Sequence, residues 1–171
     1  MYFARRNVGV IVERVYLSIG SNLQPGQHIA AALAELREQF ENVEVSPFYR
    51  SKAVGFDGPD FVNAAIELDT DWEPDRLKRW LHALEDRHGR QRDQPRYSSR
   101  TLDIDIVLFG NRVLTGAGHL QVPRNELQHA FVLRPLLDIA PNLRNPATGE
   151  RLDQHWPTAD ADRVERVEHL A

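Results

Sequence analysis

Two aspartates lie two residues apart in the run Arg100-Thr101-Leu102-Asp103-Ile104-Asp105-Ile106-Val107. In an extended strand alternate side chains share a face. The two carboxylates then project together, while Leu102, Ile104 and Ile106 point the other way, toward a core. Along the strand they stand roughly 6 to 7 Å apart. Hard oxygen donors suit magnesium, and two such ions about 3.5 to 4 Å apart can be clamped between carboxylates and a polyphosphate. The same alternation is also what the solvated face of an ordinary strand looks like. What favours a metal is cost: the like charges repel with no Lys or Arg interleaved, and a cation there is stabilising.

Just upstream, Arg87, Arg90, Arg92, Arg96 and Arg100 fall within fourteen residues, opposed inside that span only by Asp93. Guanidinium forks match phosphate oxygens. ATP brings about four negative charges, so an arginine loop beside a magnesium pair makes a coherent polyphosphate site. The clustering carries this reading rather than the residue type, because only Lys52 and Lys78 among the 21 basic residues are lysine. A third feature is Asp60-Phe61-Val62-Asn63-Ala64-Ala65. Asn63 offers a donor and an acceptor side by side, which could read a heterocyclic amide edge. Phe61 shares its strand face and could stack on a flat ring, with Phe131 a candidate for the opposite wall. Each of the three could equally be structural. The loop Gly20-Ser21-Asn22-Leu23 precedes a helix and could receive an anion or simply turn the chain. No P-loop and no G-x-S-x-G motif occurs.

These residues need a scaffold. The chain has 171 residues with 42% hydrophobic and 27% charged, which suits one globular domain over 13–171 behind an N-terminal extension of 1–12. No cysteine is present, which excludes disulfides and thiolate metal sites, and the seven histidines show no paired zinc spacing. A net charge of -4 argues against a general nucleic-acid binder. No apolar run approaches the ~20 residues of a membrane span. The first twelve residues read as a strand leader or tail, since Glu13 and Arg14 interrupt the apolar stretch and no cleavage-like site follows.

Apolar spacing predicts strands at Val15–Ile19, Val43–Tyr49, Phe61–Leu68 and Leu102–Phe109, and helices over Pro25–Phe40, Pro74–His88 and Val132–Ile139. Gly110-Asn111 is a turn, and Val113-Leu114 is expected to pair back as a hairpin. Residues 142–171 read as a loosely organised tail with a short strand near Arg163–Val167. The order β-α-β-β-α-β predicts an α+β fold with a ferredoxin-like split βαβ core, a mainly antiparallel sheet with packed helices in three αβα layers.

The chain resembles the 6-hydroxymethyl-7,8-dihydropterin pyrophosphokinase family from about Val15 to Pro146. The likeness rests on Ile19-Gly20-Ser21-Asn22-Leu23, Phe48-Tyr49-Arg50-Ser51, Asp60-Phe61-Val62-Asn63-Ala64, Gly89-Arg90-Gln91-Arg92, the Arg100 to Asp105 block, Val122-Pro123 and Ala130-Phe131-Val132-Leu133. The resemblance implies pyrophosphate transfer from ATP to the pterin hydroxymethyl group in folate biosynthesis. It implies that Asp103 and Asp105 ligate two Mg2+ ions, and that Arg90, Arg92 and Arg100 serve catalysis. Asn63, Phe61, Phe131, Tyr97 and Val54 would bind the pterin. Arg92, Arg100, Arg124, His129, Glu85 and His82 would bind the nucleotide, and the segment from Arg90 to Ser99 would act as a lid. The expected protein is a cytoplasmic monomer whose partners are ATP and pterin, with no nucleic acid and no membrane. The alternatives are a paralogue acting on another pterin or with weak activity, and a ferredoxin-like nucleic-acid module. The chain departs from the family pattern in places: Ser98-Ser99 replaces Gly-Pro, Pro123-Arg124 replaces Pro-His, and His129 stands where arginine is usual.

Overall fold

The computed structural model describes residues 9–90, 92–95, 98–115, 120–156 and 163–170. Residues 10–12 are exposed and unpaired, and the first strand, β1, starts at Glu13 and runs to Ser21. Helix α1 (Pro25–Gln39) follows, with Pro25 in its first turn, where a missing N–H costs nothing. It buries Ile29, Ala32, Leu33 and Leu36 at helical spacing.

The single strand expected at 43–49 is two: β2 (Glu41–Val45) and β3 (Phe48–Ser51). Pro47 has no N–H to continue a ladder. Ser46 repairs the break, its N–H donating to Ala65 O at 2.9 Å and its Oγ accepting from Ala65 N at 2.8 Å. Strand β4 (Phe61–Thr70), helix α2 (Pro74–Arg87) and strand β5 (Asp103–Phe109) come next. Gly89, at φ +79°, supplies the left-handed turn just past α2.

All pairings are antiparallel, in the order β5-β1-β4-β3, with β2 also on β4. This is the ferredoxin-like arrangement with its second strand broken in two. Two expectations need correction. Strand β6 (Leu114–Thr115) pairs with β7 (Gln121–Val122) and not back onto β5. The C-terminal tail is also better organised than expected. Arg144 bridges Arg151 and Leu152 is buried, while β8 (Glu165–Val167), the short strand expected near Arg163–Val167, adds to the free edge of β3.

The sheet lies between helices. On one face Val15, Leu17, Ile19, Ile66, Leu68, Ile104 and Ile106 pack on α1 and α2. On the other, Tyr16, Ala65, Val107 and Leu108 pack beneath helix α3 (Ala130–Ile139) through Val132, Leu133 and Leu136. Full burial of a large aliphatic side chain stabilises by about 1.5–3 kcal/mol. Helix α3 has only 10 residues and covers one end of its face. The other end carries Ser18, Gly20, Asn63, Asp103 and Asp105, and lines a cleft. Among the described residues no helix is long and apolar enough to cross a membrane.

Candidate active site

The cleft holds about 670 Å3. Register places its polar floor: Gly20 of β1 lies opposite Asn63 of β4 on one side and Asp103 of β5 on the other, and Ser18 lies opposite Asp105. The central strand therefore contributes small residues where the neighbouring strands contribute functional ones. Gly20 leaves little room for a side chain, since a Cβ there would stand 3.0 Å from Asn63 Oδ1. Asn63 is 4% exposed, and its Nδ2 donates to Ser51 Oγ at 2.8 Å. That bond fixes the amide so that its oxygen faces Gly20.

Phe61, Phe131 and Val54 line the cleft. Phe56 also lines it, meeting Phe61 edge to face at 6.4 Å between centroids. His129 lines the cleft too, but its ring stacks on Phe131 at 5.1 Å and 11°, so it buttresses the aromatic wall. Tyr97 lies outside the described residues.

Asp103 and Asp105 share the cleft face, with side chains 40% and 36% exposed, while Ile104 between them is 3% exposed on the far face. Each carboxylate faces an arginine: Arg90 Nη1 is 3.1 Å from Asp103 Oδ1, and Arg124 Nη1 is 3.6 Å from Asp105 Oδ1. The Asp105 carboxyl is nevertheless pushed up to about 7. Loss of solvation at the cleft floor is the main cause, then Asp103; Arg124 pulls it back, and Glu126 adds to the rise. Such a site gains from a cation. Among the described residues no three His, Cys, Asp or Glu side chains converge on one point. Two carboxylates from the protein, with phosphate oxygens and water completing the shell, is a donor set that suits magnesium.

Glu85 and His82, expected at the nucleotide, both lie on α2. Neither lines the cleft. Glu85 is 2% exposed behind β5, where its Oε2 accepts the Ile104 N–H at 3.1 Å. It pins the strand midway between the two aspartates. Burial first, and Asp103 second, push its carboxyl up to about 8. His82 is exposed on α2, and only its carbonyl takes part, accepting from Arg92 Nη2 at 3.0 Å. Arg92 borders the cleft with its guanidinium turned onto α2, bonding Asp86 at 2.9 Å and Glu85 at 3.2 Å. To reach a phosphate in the cleft it must leave those partners. Arg100, 8% exposed, reaches the cleft while bonding Ser98 Oγ and, at 3.0 Å, Pro95 O.

The Gly20-to-Leu23 loop is a brace and offers no anion site. The N–H groups of Asn22 and Leu23 both donate to Arg100 O, at 3.1 and 3.3 Å. The Asn22 side chain accepts from Arg100 N at 2.8 Å and donates to Pro59 O and Ser99 Oγ, each at 3.1 Å. It ties the end of the arginine loop to the loop carrying Val54 and Phe56. Sequence reading missed Asn22, Ser51, Phe56 and Glu126 as parts of the site. Phe56, directly after Gly55 and two residues before Gly58, carried the one local hint, an aromatic in an otherwise turn-forming loop.

Residues 16–141 match the family model described as 7,8-dihydro-6-hydroxymethylpterin-pyrophosphokinase. The 2-amino-4-hydroxy-6-hydroxymethyldihydropteridine pyrophosphokinase of Pseudomonas aeruginosa is 42% identical over 162 residues, covering 92% of this chain and 98% of that relative. The Haemophilus influenzae protein of the same name is 38% identical over 137 residues, 77% of this chain and 84% of its own. A crystal structure of a Plasmodium falciparum HPPK-DHPS with pteroate superposes with a TM-score of 0.66 at 10% identity, over 93% of this chain. This chain spans 47% of that structure, and the likeness speaks to the fold.

Proposed function

The chain belongs to the 7,8-dihydro-6-hydroxymethylpterin pyrophosphokinase family, and on that premise we propose how its cleft carries out the reaction. The enzyme transfers pyrophosphate from ATP to the hydroxymethyl group of 6-hydroxymethyl-7,8-dihydropterin, a step of folate biosynthesis that leaves AMP and the pterin diphosphate.

In our reading Asn63, with its amide oriented by Ser51, recognises the polar edge of the pterin. Phe61 and Phe131 take its faces, and Val54 and Tyr97 close the pocket. The hydroxymethyl oxygen attacks the β-phosphorus of ATP as the bond from that phosphorus to the α,β-bridging oxygen breaks, releasing AMP. Asp103 and Asp105 would hold two magnesium ions. The chemistry such ions would supply there is neutralisation of the charge on the transferring phosphates. Arg90, Arg100 and Arg124 add fixed positive charge around the same oxygens. Arg92 joins them once the loop that begins at Arg90 closes over the substrates. No covalent protein intermediate is required, because positioning and charge neutralisation carry phosphoryl transfer. The expected setting is a cytoplasmic monomer.

The observation that carries this reading is the convergence of Asn63, Asp103 and Asp105 on one uncovered sheet face, ringed by arginines. The test is incubation of the protein with ATP, magnesium and the hydroxymethyl pterin. AMP should form only when both magnesium and pterin are present. No AMP at saturating substrates would contradict it.

A further inference from the structure

Arg124 is held at both its backbone and its guanidinium. Its backbone N–H donates to Val107 O at 3.1 Å, which fixes the chain leaving β7 against β5. Its Nε and Nη2 donate to the two oxygens of Glu126, at 3.0 and 3.1 Å. This forked pair sets the plane of the guanidinium. The remaining nitrogen, Nη1, is directed at Asp105 Oδ1 at 3.6 Å, beyond good hydrogen-bond length. The short contacts thus go to Glu126 and the loose one to Asp105. The side chain is 24% exposed at the cleft wall, so this last nitrogen can exchange partners without leaving Glu126.

We infer that Arg124, aimed by Glu126, is a built-in counter-cation of Asp105 that competes with the divalent cation for that carboxylate and passes to a polyphosphate oxygen once the cation is bound. This rests on the metal assignment proposed above. A guanidinium keeps its charge at every working pH. Arg124 therefore limits the repulsion between Asp103 and Asp105 before a metal arrives, and it attracts polyphosphate even without one. Glu126 acts through Arg124 and is a positioning residue: its two short bonds hold the guanidinium back from a full pairing with Asp105, leaving Nη1 available.

Binding of Mn2+ to the full chain without nucleotide, followed by electron paramagnetic resonance, tests this. So does calorimetry of α,β-methylene-ATP binding in EDTA. Arg124→Met should bind Mn2+ about fivefold more tightly, the scale of a partly exposed ion pair. The same variant should bind the analogue in EDTA about tenfold more weakly. Arg124→Lys keeps the charge and should keep Mn2+ affinity within about twofold of the wild type. Glu126→Gln frees the guanidinium to pair with Asp105 and should weaken Mn2+ binding by about twofold or more. The opposite signs at positions 124 and 126 are a signature that loss of structure does not produce.

Unchanged or weaker Mn2+ binding in an Arg124→Met protein that melts like the wild type overturns the inference. If that variant does not fold, Glu126→Gln decides, and unchanged or tighter Mn2+ binding there overturns it. Asp105→Asn separates the two levels. Loss of Mn2+ binding in this variant, with no tightening in Arg124→Met, removes the counter-cation alone. Unaltered Mn2+ binding in Asp105→Asn removes the metal assignment and the counter-cation together.

Discussion

The two faces of the sheet are made by the same strands and serve opposite ends. Toward α1 and α2, Val15, Leu17, Ile19, Ile66, Leu68, Ile104 and Ile106 form a continuous apolar layer, each 4% exposed or less. Toward α3, the apolar layer stops at Ala65 and Val107, and beyond it Gly20, Asn63, Asp103 and Asp105 face an open cleft. Period-two alternation decides which residues share a face. It does not decide whether that face is covered. Here the short length of α3 leaves a rigid, paired floor open at one end, and such a floor positions side chains better than a loop would.

Neighbouring residues of β5 should break this comparison most sharply. Asp103→Ala should cut turnover by about 10³-fold or more, read as pterin-dependent AMP release, with an unchanged melting temperature. One residue on, Ile104→Ala should do the reverse. It should cost about 2–5 kcal/mol of folding stability by denaturant titration, while the fraction still folded keeps binding pterin. If Asp103→Ala unfolds the protein, or Ile104→Ala leaves stability unchanged, the division of labour between faces is wrong.

A smaller effect is expected where the central strand gives way to its neighbours. Gly20→Ala puts a methyl group against Asn63 Oδ1 and should weaken pterin binding by about tenfold, near the cost of one displaced hydrogen bond. Nucleotide binding should change much less, and unchanged pterin affinity by calorimetry would contradict the role of Asn63.

The smallest effect concerns stability and pH. Burial, with Asp103 second, raises the Asp105 and Glu85 carboxyls to about 7 and about 8. Over roughly pH 4 to 8 the folded chain keeps protons that the unfolded chain has released, so stability without metal falls as pH rises through that window. Asp105→Asn removes one of these groups. In EDTA it should match the wild type near pH 4 and be more stable near pH 8. The gain is about 1 kcal/mol once the solvent-open third of the side chain is allowed for, or about 2–4 °C in melting temperature. A variant no more stable at pH 8 than the wild type would contradict the crowding at the cleft floor.

The scaffold was legible because its signals are local. Leu77, Leu81 and Leu84 mark a helix face, and Ile104 and Ile106 mark a strand face, whatever surrounds them. Asp103 and Asp105 were legible for the same reason, and the arginine cluster announced itself by density. Contacts between residues distant in sequence were not. Ser51 orients Asn63, Asn22 braces Arg100 across 78 positions of chain, and Glu126 aims Arg124 at Asp105. Glu85 shows the same limit. The family likeness pointed to it, but only the packing of α2 on β5 reveals that it grips the strand. Arg92 likewise belongs to the loop by sequence and to α2 by contact.

The central claim is that the two carboxylates on the open face create a magnesium-dependent polyphosphate site. Calorimetry of α,β-methylene-ATP binding with and without Mg2+ tests it most directly, comparing the wild type with the Asp103→Asn, Asp105→Asn double variant. Mg2+ should tighten binding to the wild type by about tenfold or more and leave the double variant unaffected. Full magnesium-dependent tightening in the double variant would contradict the account.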